Sequence, residues 1–292
     1  MRRPSWRRAG ISSTLVVVSC LLLTACGRSA GFDGVRAYRD VVQQCNFGAR
    51  IPGSEASTKA ADYFTHELRQ AGWQVEQQAF TYRDVPLRNV IGQKGKGPLV
   101  IVGAHYDCRA KADRDHYDQL GAVPGANDGA SGAAVLLELA RLLNEGRLHN
   151  EVWLAFLDAE DQGELNGWPW SVGATHLADS LTRRPEYVVV VDMVGDSDQQ
   201  LYWEWSSTRW LSERIWALAA QLKYGDYFMP NYKHSVLDDH TPFLQRAIPA
   251  VDIIDFDYPY WHTTADTTDK VSAASLERVG RVLETLLESR SG

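Results

Sequence analysis

Apolar residues in this chain follow two patterns, one typical of buried strands and the other typical of helices. Short, continuous apolar runs occur at 99–104, 152–157, 187–191 and 250–254. Runs of this length are typical of strands buried on both faces. Between and after these runs, apolar residues recur at helical spacing in 132–143, 211–222 and 272–287. The pattern therefore predicts strands and helices that alternate along the chain.

The segment 57–71 shows the helical pattern most clearly. Its apolar side chains lie three or four positions apart, at Ala60, Phe64, Leu68 and Ala71. Gly72 follows directly, and glycine is a common residue just past the end of a helix. This spacing predicts an amphipathic helix on the surface of the protein.

Alternation of apolar strands with helices indicates the fold class. Parallel strands need long crossover connections, and helices in those connections cover both faces of the sheet. We predict an α/β fold with a single domain over 38–292, in which helices lie on both faces of a mostly parallel central sheet. The 267 residues that follow residue 25 are enough for one such domain with an ample core.

The first 25 residues predict an export signal rather than a part of this domain. Four arginines, at positions 2, 3, 7 and 8, precede an apolar run at 15–23 that is too short for a comfortable membrane span. The run ends in Leu23-Thr24-Ala25-Cys26-Gly27, which resembles a bacterial lipobox. We expect a signal peptide over 1–25, lipidation of Cys26 and a tether over 26–37. The alternative is an ordinary signal peptide cut nearby. Both interpretations export the protein, and the first makes it a cell-envelope lipoprotein that faces the periplasm.

The charge of the exported chain argues against a nucleic-acid partner. Removal of residues 1–25 leaves 26 basic residues against 37 acidic residues, a net charge of −11. An acidic surface repels a phosphate backbone. No run of basic residues after Cys26 offers a patch for nucleic acid or lipid. We expect membrane attachment through the N-terminal lipid only.

Cys45 and Cys108 are the remaining thiols of the exported chain. An oxidising envelope would permit a disulfide between them, which we slightly favour. The alternative is two buried free thiols. Neither cysteine has a closely spaced Cys or His partner, so a zinc finger is excluded.

Polar residues follow the predicted strands at the points where the strands end. Carboxyl ends of parallel strands meet at one edge of a sheet, where ligands of such folds bind. The residues in question are His105 and Asp107 after the first run, Asp158, Glu160 and Asp161 after the second, and Asp192 after the third. Several polar clusters at successive strand ends indicate a functional site at this edge.

Three further features suggest that this site holds a metal. Asp128 lies in the glycine-rich segment 125–132, where it serves either as a helix cap or as a metal ligand. The adjacent acids Glu160 and Asp161 allow one to bind metal while the other moves protons. His262 follows Trp261 and precedes Thr263 and Asp266, and these neighbours offer packing and hydrogen-bonding partners for its ring. Carboxylates and one imidazole suit zinc with an open coordination position.

Taken in order, these segments resemble one known family. They are 47–54, Ala104-His105-Tyr106-Asp107, 125–132, Asp158-Ala159-Glu160-Asp161, Asp192-Met193-Val194-Gly195 and the His262 segment. Together they are similar to the zinc aminopeptidase superfamily, which includes the animal-type and bacterial glutaminyl cyclases. The resemblance covers the chain from about Tyr38 onward and implies the phosphorylase/hydrolase-like form of the α/β fold.

The resemblance implies two alternative zinc enzymes. An aminopeptidase would hold two zinc ions through His105, Asp128, Asp161, Asp192 and His262, with Glu160 as the base. A glutaminyl cyclase would hold one zinc ion through Asp128, Asp161 and His262. A protein of neither kind, a non-catalytic envelope lipoprotein, would bind no zinc tightly.

Three residues favour the cyclase, because the resemblance matches them to that branch: Asp238, Trp261 and Asp161. We therefore expect a monomeric glutaminyl-peptide cyclotransferase that acts on peptides or proteins with an N-terminal glutamine. The resemblance implies Glu160, Asp238 and Asp192 as catalytic residues. It implies Trp261 as a wall of the substrate pocket, together with Trp168 or Trp170.

Overall fold

The computed structural model describes residues 1–2 and 31–289. Residues 3–25 of the predicted signal peptide and the predicted lipidation site Cys26 lie outside the described residues. Among the described residues, no helix has both the length and the apolar character that crossing a membrane requires.

The described chain contains seven α-helices and eight strands, which alternate along most of its length. The helices are α1 Gly34–Asn46, α2 Glu55–Gln70, α3 Ala130–Leu142, α4 Val172–Ser180, α5 Arg209–Gln221, α6 Thr241–Gln245 and α7 Ala273–Glu288. The strands are β1 Gln74–Tyr82, β2 Val85–Gly95, β3 Leu99–His105, β4 Glu151–Leu157, β5 Tyr187–Asp192, β6 Leu201–Glu204, β7 Phe228–His234 and β8 Ala250–Ile254.

Six strands form the central sheet in the order β1-β2-β4-β3-β5-β8. Strands β4, β3, β5 and β8 run parallel to one another, and β1 and β2 are antiparallel additions at one edge. Strands β6 and β7 form a separate parallel pair. The predicted α/β class and the mostly parallel sheet are therefore confirmed.

The apolar runs of the central strands are continuous because both faces of the sheet are covered. Val100 and Val102 of β3 belong to the core shared with α1, α3 and α7. Leu99 and Ile101 belong to a second core, on the opposite face, to which α4 contributes. Alternate side chains of a strand point to opposite faces, so each face needs its own apolar set.

Two parts of the chain differ from the sequence-based expectation. Helix α1 begins at Gly34, inside the expected tether over 26–37, and its buried residues include Gly34 and Ala37. The folded domain therefore begins before Tyr38. Cys45 and Cys108 are free thiols, and Cys108 is buried. Burial raises the pKa of the Cys108 thiol to about 12, which makes it a poor nucleophile.

Candidate active site

The carboxyl ends of the parallel strands bring the predicted site residues together. β3 ends at His105 and β5 ends at Asp192. The turn after β4 carries Glu160 and Asp161, and the loop before α3 carries Asp128. The loop after β8 closes the site with His262. All of these side chains are buried. The sheet edge is therefore a buried polar site and not a solvent-exposed acidic loop.

Asp128, Asp161 and His262 form a cluster that fits a zinc ion. Their ligand atoms lie within 4.8 Å of one another. His262 Nε2 is 3.0 Å from Asp161 Oδ1 and 3.9 Å from Asp128 Oδ2. Asp128 Oδ2 and Asp161 Oδ2 are buried without a hydrogen-bond partner. Buried acceptors without donors are costly, and a cation bound by these two carboxylates and the imidazole would satisfy them.

Asp113 is the carboxylate beside Nδ1 of the His262 ring, a neighbour that the sequence did not reveal. Asp113 Oδ1 lies 3.3 Å from His262 Nδ1. The same carboxylate accepts hydrogen bonds from Arg109 Nε and Nη2 at 2.8 and 2.7 Å. Metal-binding histidines commonly donate their second ring N–H to a carboxylate, which fixes the tautomer. Asp113 lies in a loop of many charged residues, so no local signal distinguished it.

Asp266 accepts hydrogen bonds from the loop that carries Asp128, and not from the His262 ring as we expected. Its two carboxylate oxygens accept from the backbone N–H groups of Asn127 and Asp128, at 2.9 and 3.1 Å. The Tyr258 hydroxyl donates to Asp266 at 2.7 Å. Asp266 therefore holds the Asp128 loop in place, while the partner of the His262 ring is Asp113.

Asp107 organises the turn that carries the two adjacent acids. Its carboxylate accepts from the backbone N–H of Glu160 at 2.9 Å and from that of Asp161 at 3.2 Å. Ala159, just before this pair, has a positive φ of 57°. Such a conformation is strained for a non-glycine residue and is found preferentially at functional sites.

A second cluster shares Asp128 with the first. Its members are His105, Asp128 and Asp192, with ligand atoms again within 4.8 Å of one another. His105 Nε2 lies 3.2 Å from Asp128 Oδ1 and 3.0 Å from Asp192 Oδ1. A shared carboxylate between two such clusters is suited to bridging two ions. The geometry thus retains the donors for a second metal.

Glu160 is a buried acid that belongs to neither of these two clusters. Burial and the charge of Asp238 raise its pKa well above the usual range for glutamate. The Ser171 hydroxyl lies 3.4 Å from Glu160 Oε1. A carboxyl group with a raised pKa takes up a proton more readily than an ordinary glutamate, which suits it to accept a proton and return it.

These residues line a cavity of about 220 Å³. Its acidic lining includes Asp128, Glu160, Asp161, Asp192 and Asp238. Its apolar walls include Trp170, Ile254, Phe256 and Trp261. The Trp261 ring lies against His262, with centroids 3.9 Å apart.

Trp168 does not occupy the position that we expected. It packs edge-on against Tyr82, with ring centroids 5.0 Å apart, and joins a small cluster with Leu87 and Val172. Trp170 lines the cavity instead and stacks on His262 at 6.0 Å. The two tryptophans are only two positions apart, and the turn that separates their directions is not evident in the sequence.

Sequence comparison relates the chain to a peptidase family and to a glutaminyl cyclase-like protein. A family model described as Peptidase family M28 matches residues 89–287. The glutaminyl-peptide cyclotransferase-like protein of Mus musculus is 28% identical over 285 residues, which cover 83% of this chain and 72% of that protein.

Two solved structures share the fold over nearly the whole domain. A Zn-dependent exopeptidase from Parabacteroides distasonis has a TM-score of 0.83 and 29% identity over 90% of this chain and 100% of that chain. A glutaminyl cyclase from Bacteroides thetaiotaomicron, bound to N-acetylhistamine, has a TM-score of 0.84 and 27% identity over 90% of this chain and 100% of that chain. The fold that the sequence motifs implied is therefore confirmed.

Proposed function

This chain belongs to peptidase family M28, in the zinc aminopeptidase superfamily and close to the glutaminyl cyclases, and we propose that it is a glutaminyl-peptide cyclotransferase. In this proposal it converts the N-terminal glutamine of peptides or proteins to pyroglutamate and releases ammonia. One zinc ion is held by Asp128, Asp161 and His262.

The proposed reaction joins two atoms of the same substrate residue. The α-amino nitrogen forms a bond to the side-chain amide carbon, and the bond from this carbon to the amide nitrogen breaks. Zinc, when bound, supplies a positive charge that stabilises the negative charge developing on the amide oxygen. Glu160 takes a proton from the attacking amine and returns it to the leaving nitrogen, which departs as ammonia.

The position of Asp238 is the observation that carries this proposal. Asp238 lines the same cavity as Glu160 but is not one of the three proposed zinc ligands. After burial itself, its charge is the largest cause of the raised pKa of Glu160. Cyclisation must move a proton between two nitrogens of the substrate, and a second acid beside Glu160 supports that transfer. We assign Asp192 a similar, weaker role in the same network.

The cavity walls support the choice of substrate. The side chain of glutamine must bend so that its amide carbon meets its own α-amine, and a fitted cavity holds such a conformation. Trp261 and Trp170 line the cavity as flat apolar walls, and both rings lie close to His262. We propose that these two rings hold the glutamine side chain in its bent conformation beside Glu160.

A mass measurement tests the proposal. The purified domain is incubated with two peptides that differ only in their first residue, glutamine or leucine. Cyclisation predicts that the glutamine peptide loses the mass of one ammonia and keeps all its residues, while the leucine peptide is unchanged. Release of free leucine or glutamine would instead identify a peptidase.

Aminopeptidase activity is the second candidate function. The cluster of His105, Asp128 and Asp192 favours it, because two neighbouring metal ions can generate and position a hydroxide nucleophile. This alternative predicts that residue release rises with a second equivalent of zinc and is lost when His105 is replaced by asparagine.

We also propose that the enzyme works outside the cytoplasm as a monomer anchored by a lipid on Cys26. The lipobox-like segment supports this location, and exported proteins with an N-terminal glutamine are then the substrates. Metabolic labelling with a radioactive fatty acid tests the anchor. The label is expected on the wild-type protein and not on the Cys26→Ser variant, and a labelled variant would contradict the assignment.

A further inference from the structure

We propose that the chain holds an additional divalent cation, of the zinc class, at a separate site formed by Asp238, His240 and Asp252. The ligand atoms of these three side chains lie within 4.8 Å of one another, and all three residues are buried. None of them belongs to the clusters around Asp128. The proposal stands whether the enzyme is a cyclase or a peptidase.

A chain of hydrogen bonds fixes the tautomer of His240. The Ser206 hydroxyl donates to Glu204 Oε2 at 2.8 Å. A hydroxyl has one hydrogen, so Ser206 Oγ must accept from His240 Nε2, which lies 2.7 Å away. Nε2 therefore carries a proton, and Nδ1 is the ring nitrogen that is left to bind a cation.

Several hydrogen bonds hold the carboxylate of Glu204 in place, next to the Ser206 hydroxyl that contacts His240. Its carboxylate accepts from the backbone N–H groups of Ser206, Ser207 and Val236, at distances from 2.7 to 3.2 Å. It also accepts from the two serine hydroxyls. A carboxylate that accepts so many hydrogen bonds is held in its charged form. Metal-binding histidines commonly have such a partner behind the ring.

The lone pair of His240 Nδ1 faces other acceptors and no donor. Nδ1 is buried without a hydrogen-bond partner, and Asp252 Oδ2 is 3.8 Å away. Both oxygens of Asp252 and Oδ2 of Asp238 are also buried without a partner. Asp252 stands in the middle of β8, and its side chain is fully buried. Acceptors that face one another in a dry interior repel, and a cation between them removes the repulsion.

The donor set indicates the kind of cation. Two carboxylates and one imidazole are the ligands of zinc and of related transition-metal ions, whereas calcium and magnesium prefer oxygen alone. Asp238 also lines the substrate cavity. A cation bound to one oxygen of Asp238 would orient its carboxylate beside Glu160, which links the additional site to the reaction.

Metal content tests the inference without relying on activity. Asp252→Asn keeps the shape of the side chain but removes its charge, and we expect it to contain one equivalent less zinc than the wild type. Asp255→Asn is the matched control: Asp255 is buried just after β8, and backbone N–H groups of Gln200 and Asp257 occupy its oxygens. The control should keep the wild-type metal content, measured by plasma mass spectrometry.

Anomalous diffraction at the zinc edge separates this site from the catalytic one. We expect one peak among Asp238, His240 and Asp252 and another among Asp128, Asp161 and His262. A wild-type crystal suffices if Asp252→Asn does not fold. Absence of the first peak, or equal zinc content in Asp252→Asn and the wild type, would overturn the additional site and mean that protons occupy it. Absence of the second peak alone would instead contradict the proposed catalytic zinc.

Discussion

Replacement of Asp113 by alanine tests whether zinc binding depends on the orientation of the His262 ring. In the structure the carboxylate lies 3.3 Å from His262 Nδ1 and also binds the guanidinium of Arg109. Without it, Nδ1 loses the carboxylate beside it, and the ring can rotate or change tautomer. Either change would move the lone pair of Nε2 away from Asp161 and Asp128.

The size of the effect follows from the exposure of Asp113. Loss of such a partner typically weakens metal binding by roughly 10- to 100-fold. The Asp113 side chain is 39% exposed and its contact with the ring is long, so water competes with it. We therefore expect the lower end of this range, about a tenfold rise in the Kd for zinc, or about 1.4 kcal/mol. Asp113→Asn keeps an oxygen acceptor and should lose less zinc affinity than Asp113→Ala.

Competition with a chromophoric chelator measures this Kd directly. Asp118→Asn is the control, because Asp118 lies in the same loop and its carboxylate accepts from the backbone of Gly121. The control should bind zinc as the wild type does. Wild-type affinity in Asp113→Ala would refute the reasoning, and would mean that the rings of Trp170 and Trp261 alone orient His262.

Three other changes test separate parts of the site. Glu160→Gln should lower kcat by roughly 10²- to 10⁴-fold while the zinc content stays at the wild-type value, and loss of zinc would show that Glu160 is a ligand. Trp261→Ala should lower kcat/KM roughly tenfold, mainly through KM, and an unchanged KM would exclude the ring from the substrate pocket. Burial raises the pKa of Asp158 to about 7, so the folded state keeps a proton that the unfolded chain releases above about pH 4. The proton on Asp158 therefore contributes its full stabilisation of the folded state below about pH 4, and this contribution is lost as the pH rises to 7. Asp158→Asn should flatten this decline by up to about 1.4 kcal/mol per pH unit in urea titrations, and an unaltered slope would contradict the assignment.

The central part of the fold was predictable because its strands are buried on both faces. β3, β4, β5 and β8 are continuous apolar runs, and their observed bounds differ from the predicted ones by at most one residue at each end. The edge strand β1 escaped notice because Gln74–Tyr82 is mostly exposed or half-buried and rich in glutamine. Its strand conformation depends on antiparallel pairing with β2, which is a long-range contact and not a local preference.

The proposed zinc ligands were predictable from the sequence, whereas the residues that position them were not. Asp128, Asp161 and His262 lie next to motifs with a recognisable order along the chain. Asp113 supports His262 from 149 positions away, which matches the separation between Asp115 and Thr264 in the same pair of loops. Such pairings arise only when the loops after β3 and β8 meet, so sequence spacing alone does not reveal them.

The adjacent acids Glu160 and Asp161 show how the backbone divides two roles between similar side chains. Both donate their backbone N–H to Asp107, which fixes the turn, and the positive φ of Ala159 sets its direction. The Asp161 carboxylate then meets His262 at 3.0 Å, while the Glu160 carboxyl points toward Ser171. Because the turn and not the chemistry of the side chains assigns these positions, Asp107→Ala should disturb zinc binding and proton transfer together. Glu160→Gln should disturb only the latter. A variant of Asp107 that lost turnover but bound zinc with wild-type affinity would show that the turn is held by other contacts.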